Sequence, residues 1–219
     1  MVKTLQNTSH AVMAQRFEPA DSADDFPTPP WATRALCEHI LEKRALRRQT
    51  CLEPACGRGH MAEALGEYFA AVDAADAYRY GYAPVRDFLS HPHEAGSHDW
   101  VITNPPFRLA QEFVLRALTV ARCGVAILVR TVFLESSGRY AAIFAEQPPS
   151  VFAQFVERVP MVKARLDPKA STATGYAWLV WDKRCDGPPL LKWVPPCRKR
   201  LERQEDYSAR VKRAAPSRR

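Results

Sequence analysis

Four consecutive residues, Asn104-Pro105-Pro106-Phe107, combine an amide, two side chains that remove N–H donors, and an aromatic ring. They close the apolar run Asp99–Asn104, which reads as a strand. Proline holds its own backbone extended and pushes the preceding residue the same way. The Asn104 amide oxygen and the Pro105 carbonyl can then both point outward as acceptors beside the plane of Phe107. Two acceptors and a ring match an exocyclic amine on a flat base, with the ring stacked on that base. The plain alternative is a strand terminator with a buried Phe.

A second group lies upstream in LEPACGRGH, Leu52 to His60. Glu53 closes a strand, and Gly57 and Gly59 permit a tight turn with close backbone approach before a helix. The third glycine of the dinucleotide fingerprint is absent, because Ala62 stands there. Glu53 would also repel a pyrophosphate. An acidic strand end favours a ligand with positive charge, such as the amino group and sulfonium of S-adenosylmethionine. Asp76 lies nineteen residues beyond Gly57, close to the spacing at which a carboxylate accepts ribose hydroxyls in nucleotide sites. Asp73 competes for that role. Asp87-Phe88 follows at another strand end, where a carboxylate and a ring suit an adenine amine and plane, unless VRDFL packs its Phe inward.

These residues need strands to carry them and helices to cover the strands. TPPWATRALCEHILEKRAL predicts a first helix with Thr28 as N-cap, Pro29 at its first position, and Leu36, Ile40 and Leu41 as an apolar face. TCLEPA reads as a strand, Met61–Tyr68 as a helix, and FAAVDAADA and DWVITN as strands. In RLAQEFVLRALTVA, Leu109, Phe113, Ala117 and Val120 recur at helical spacing. GVAILVR is continuously apolar, as a central strand buried on both faces should be. After a helix near Tyr140–Glu146 come two final strands, VFAQFVERV and GYAWLVWDK. Alternating helices and strands predict an α/β fold with a largely parallel sheet. In such sheets ligands sit outside the carboxyl ends of the strands, where all three chemical groups fall.

Bulk composition narrows the classes. A chain of 219 residues suffices for one domain and needs no disulfide or metal staple. Its six cysteines form no C-x2-C pair and read as reduced thiols, and His91-x-His93 sits in a polar connection, so no metal is expected. Neither a membrane span nor a secretory leader is visible, which predicts a cytoplasmic protein. The net charge is +7, of which +6 lies between Arg198 and Arg219. Such a tail suits phosphate backbones or serves as a solubilising end. The expected organisation is a flexible segment 1–25, a domain over 26–197 with small recognition loops after 130, and a basic tail 198–219.

With these motifs in hand, the chain resembles the amino-group DNA methyltransferases that use S-adenosylmethionine, the adenine-N6 group in particular. Glu53-Pro54-Ala55-Cys56-Gly57-Arg58-Gly59 resembles their cofactor motif, and Asn104-Pro105-Pro106-Phe107 their catalytic motif. Phe26-Pro27-Thr28-Pro29-Pro30 resembles the Phe-x-Thr-Pro element that closes over the methionine end of the cofactor. The order of the three is similar to the gamma arrangement, and DPKASTATGYAWLVW looks like small phage or prophage members. The resemblance covers residues 26 to 182. It implies a Rossmann-like class I methyltransferase fold with a mostly parallel seven-stranded sheet and an antiparallel final strand. It also implies a cofactor site at Phe26, Thr28, Pro29, Glu53, Ala55, Cys56, Gly57, Gly59, Asp76, Asp87, Phe88 and Asn104. Only about 70 residues follow Ser150, too few for a sizeable target-recognition domain. The sequence that is read, and whether the polymer is DNA, therefore stay open.

The implied chemistry is attack of an adenine amine on the sulfonium methyl, aided by positioning and electrostatics. Bonds to Asn104 and the Pro105 carbonyl would free the nitrogen lone pair. Arg108, Arg130, Arg139, Lys163, Arg165, Lys169 and Arg184, with Ser171 and Thr172 in the loop Asp167–Gly175, are candidates to contact nucleic acid. An RNA base or a glutamine amide also presents a planar nitrogen to the same motif, and a non-catalytic nucleic-acid-binding module of this fold is a further alternative.

Overall fold

The structure is a computed structural model and describes residues 24–208. The expected N-terminal segment therefore lies outside the described residues except for Asp24 and Asp25, and the basic tail lies outside beyond residue 208.

The helix α1 (Pro30–His39) starts at a proline, whose missing N–H removes one of the orphan donors of a helix start. Thr28 does not cap it. Pro29 holds the cap position, and the Thr28 hydroxyl is buried without a partner. The chain leaves the helix at Ile40 and makes one further turn, α2 (Lys43–Leu46), so the single helix read from sequence is two. Next come β1 (Thr50–Glu53), α3 (His60–Gly66), β2 (Ala71–Ala74) and β3 (His98–Thr103). A 3-10 turn, Phe107–Leu109, leads into α4 (Ala110–Val120) and β4 (Ala121–Arg130). Then α5 (Ser137–Arg139) widens into a π-helical turn, Tyr140–Phe144. The strands β5 (Val151–Phe155), β6 (Tyr176–Asp182) and β7 (Leu190–Val194) and the short α6 (Arg198–Leu201) complete the described chain.

The seven strands form one sheet in the order β2-β1-β3-β4-β6-β5-β7. Only β6 runs against its neighbours β4 and β5, and every other pairing is parallel. It is the GYAWLVWDK segment, the antiparallel strand expected to be last. The seventh strand is not where the sequence pointed: VRDFL makes only a bridge from Val85 to Asp76. β7 adds itself beyond β6, parallel to β5 at the sheet edge, with Leu190, Leu191 and Trp193 exposed.

Alternation along β3 assigns the two faces. Trp100 and Ile102 join α1 and α3 in one core, while Val101 joins α4 in the other. On α4 the inward residues are Ala110, Phe113, Val114, Ala117 and Val120. Leu109 is not among them, because it belongs to the preceding turn and stays exposed. The centre of β4, Val125 to Leu128, is wholly buried between both layers. Gly124 lies so close to Trp100 that a Cβ there would stand 2.7 Å from the Trp181 carbonyl and closer still to the Trp100 ring.

After β7 the chain returns to α1. Glu157 accepts the Cys197 and Arg198 N–H groups at 2.6 and 2.9 Å and so starts α6. Arg34, buried on α1, donates to both Asp206 oxygens at 2.8 Å, to the Leu201 carbonyl at 2.8 Å, and to Glu67. Arg203 closes the group on Glu67 at 2.8 Å. Arg198 and Arg203, two of the charges of the expected tail, are thus committed to carboxylates and backbone within the fold.

Candidate active site

The carboxyl ends of β1, β2 and β3 open on a cleft of about 710 Å³. Gly57 and Gly59 have φ of +51° and +84°, in the left-handed region that glycine enters freely, and Gly59 is the N-cap of α3. A Cβ on Gly59 would overlap the Tyr82 ring. The Gly57 and Tyr78 N–H groups donate to the two Asp76 oxygens at 2.8 Å each. Asp76 therefore ties the glycine turn to the end of β2 while lining the cleft, and burial raises its carboxyl pKa. Asp73 faces elsewhere, paired with Arg86 at 2.6 Å. Cys56 is a packed residue whose thiol pKa is raised by burial.

Glu53 forms the floor. It is 1% exposed, one oxygen accepts the Thr103 hydroxyl at 2.7 Å, and the other is buried with no partner. Burial pushes its pKa up to about 8; the nearby Asp76 charge adds to the rise, and bonds from Thr103 and the Ala55 backbone oppose it. The cleft wall also carries Asp24 and Asp25. Four acidic side chains thus line the cleft, Asp25 being paired with Arg58 on the same wall.

The catalytic candidate Asn104 stands at the exit of β3. Its Nδ2 donates to the Phe26 carbonyl at 3.0 Å and approaches the Met161 sulfur. Both neighbours accept, which fixes the amide's orientation, and Oδ1 is left buried with no partner. Pro105 is buried behind it and Pro106 lines the cleft. The Phe107 ring does not line the cleft, and its surroundings are full. Phe26 lies at 5.8 Å between centroids, tilted 31°, and the Arg130 guanidinium lies 4.1 Å from the ring centroid. The Phe107 N–H donates to Asp24 Oδ2 at 2.7 Å. Stacking on a base, as read from sequence, requires one of these neighbours to move.

Of the remaining cofactor candidates, Phe26, Thr28, Ala55, Cys56, Gly57 and Phe88 line the cleft. Pro29 and Gly59 do not; they shape the helix starts on either side. Asp87 is also absent from it, because its carboxylate accepts the Leu89 N–H at 3.1 Å and the Ser90 hydroxyl at 2.9 Å in its own turn. Phe88 points inward against Phe113, centroids 5.1 Å apart. Among the basic candidates, Arg108, Lys163, Arg165 and Lys169 are exposed. The loop carrying Lys163 to Thr172 reaches the rim, where the Ala164 N–H donates to the Asp25 carbonyl at 2.8 Å. Arg139 is spent internally, donating to the Phe133 carbonyl at 3.0 Å and lying over the Phe133 ring. Arg184 is at the wrong end: it pairs with Asp182, which sits opposite Gly124 near the start of β4.

Sequence reasoning passed over Asp24, Asp25, Arg58, Tyr78, Tyr80 and Met161. Arg58 pairs with Asp25 at 2.6 Å and lies over the Tyr80 ring at 5.3 Å, bridging the segment before α1 to the YRYGY loop after β2. The repeated tyrosines directly behind Asp76 were the available signal.

No protein-family model and no curated protein matches this sequence. Several solved structures do match the fold. A Listeria monocytogenes protein assigned to the class I S-adenosylmethionine-dependent methyltransferases has a TM-score of 0.58 at 13% identity, over 80% of this chain and 69% of that one. The modification subunit assigned to a type I restriction enzyme of Vibrio vulnificus has 0.55 at 17% identity, over 84% of this chain. This chain spans only 50% of that subunit. A Pyrococcus horikoshii protein assigned as an RNA methyltransferase has 0.52 at 14% identity, over 72% and 86% of the two chains. At these identities the likeness is one of architecture: the chain has the Rossmann-like fold of the class I methyltransferases.

Proposed function

We propose that this protein transfers a methyl group from S-adenosylmethionine to the exocyclic N6 amine of adenine in DNA. The observation that carries the reading is Asn104 Oδ1, a buried acceptor without a donor, held in place by an amide nitrogen already committed to Phe26. A buried acceptor in that condition is stabilised by an incoming N–H. With the Pro105 carbonyl beside it, the loop would receive the two hydrogens of an amine and turn the nitrogen lone pair out of conjugation. Transfer then needs no strong base beforehand, consistent with a cleft lined, among the described residues, by no exposed Cys or Ser.

The cofactor fits the residues present. The unpartnered Glu53 oxygen and the acidic lining suit its positive charges, and Asp76 faces the same cavity. Glu53, Ala55–Gly57 and Asp76 would hold it, with Phe26 and Thr28 closing one side. When bound, S-adenosylmethionine supplies a methyl group made electrophilic by its sulfonium. Glu53 meets that charge by giving up the proton that burial imposes on it.

The Vibrio restriction-modification subunit supports DNA as the substrate, and the Pyrococcus protein keeps an RNA base as the second reading. Mass spectrometry of nucleosides from DNA and RNA treated with enzyme and isotope-labelled cofactor tests both. The expected product is N6-methyladenine in DNA. Asn104→Ala should lower turnover about 10²–10³-fold, the scale of losing a preorganised polar contact, with cofactor affinity kept. Wild-type turnover in that variant removes the assignment.

A further inference from the structure

At the carboxyl end of β4, Arg130 projects towards the catalytic loop and lies with its guanidinium 4.1 Å from the centroid of the Phe107 ring. Its Nε is buried without a partner. Among the described residues its side chain has no hydrogen bond and no carboxylate within ion-pairing reach, and it lies over the Phe107 ring. This is unusual for a partly buried cation. Of the other buried or half-buried arginines, Arg34 pairs with Asp206 and Glu67 and Arg86 with Asp73, while Arg116 and Arg139 each donate to a backbone carbonyl. Arg130 is left as a positive charge waiting for an anion, within contact of the residue proposed to carry the target base.

The guanidinium is also flat, and it covers a ring whose other close aromatic neighbour is Phe26. Resting on proposed methyl transfer at Asn104, we infer that Arg130 is a placeholder for the target base. In the free protein the guanidinium covers the Phe107 ring. An incoming base takes that place and displaces it, and the displaced cation binds the phosphate of the same nucleotide. The exchange keeps the ring covered and gives the charge its anion, so a substrate enters well only if it brings both a plane and a phosphate. A nucleotide does so, whether in DNA or RNA. A glutamine side chain brings a small amide plane and no phosphate, which sets nucleic acid apart from a protein amide as the substrate of this loop.

The test uses the full chain with labelled random-sequence DNA and the matching RNA, in variants Arg130→Ala and Arg130→Lys. Neutralising one phosphate contributes about 0.9 to the slope of log affinity against log salt. Arg130→Ala should therefore lower that slope by about one and raise KM several-fold at low salt, with kcat changed less than KM. Arg130→Lys, which keeps the charge and loses the plane, should restore the slope. Calorimetric affinity for S-adenosylmethionine, which binds away from Arg130, should be the same in all three proteins and reports that the variants fold. An unchanged slope in Arg130→Ala, or a loss confined to kcat, would mean that Arg130 only props Phe107 and overturns the inference. Methyl transfer by the wild type to a glutamine peptide and to no nucleic acid overturns it too, while leaving methyl transfer at Asn104 intact. Absence of S-adenosylmethionine binding by the wild type overturns both.

Discussion

Glu53 holds its proton at neutral pH because burial raises its pKa to about 8. A carboxyl whose folded pKa lies above the unfolded value of 4.5 stabilises the fold fully below that value. The contribution is lost as pH rises through about 8. The thermal midpoint of the free protein should fall across this window relative to a Glu53→Gln variant, measured by calorimetry. A cationic ligand reverses the preference. Affinity for S-adenosylmethionine should climb as pH approaches 8, with a proton released on binding, visible as a dependence of binding heat on the ionisation enthalpy of the buffer. Gly59 carries a separate constraint. Its φ of +84° and the adjoining Tyr82 ring leave no room for a side chain. Gly59→Ala should destabilise by about 1–3 kcal/mol in urea unfolding and weaken cofactor binding.

Among the elements, those governed by local pattern could be read from the sequence. Val125 to Leu128 announced a strand buried on both faces, and the proline-rich exit of β3 announced acceptors at its end. What escaped depended on contacts made far along the chain. β7 escaped because LLKWV, flanked by Pro188-Pro189 and Pro195-Pro196 with Leu190, Leu191 and Trp193 exposed, lacks the alternation of a half-buried strand. Asp87 looked like a ligand because nothing in the sequence shows that its oxygens cap their own turn. The candidate site was legible at Glu53, Gly57, Asp76 and Asn104. It was not at Phe107, whose ring is covered by residues from two other segments. Gly124 is a constraint of the sheet itself, since Trp100 and the Trp181 carbonyl occupy the space of its side chain. Gly124→Ala should cost about 1–3 kcal/mol by overpacking, read as a lower urea midpoint.

At the scale of the whole molecule, the charge group around Arg34 ties the last described residues to the first helix. Arg34→Met would leave the buried Asp206 carboxylate without its cation. Breaking a buried pair from one side costs about 3–5 kcal/mol. Combining it with Asp206→Leu should recover part of the loss, and a denaturant series on the three variants checks this. The position of β6 has a different consequence. It lies between β4 and β5, yet it is made after both, so the middle of the sheet is filled from late in the chain. During synthesis β4 has no partner on that side, and β5 has none on either, until Tyr176 to Asp182 emerge. Open edges of this kind invite pairing with other chains. A nascent or truncated chain ending before Tyr176 should sediment as aggregate, while one that reaches Tyr207 should stay monodisperse. Ribosome pausing just upstream of β6 would then be the moment at which this protein most needs a chaperone.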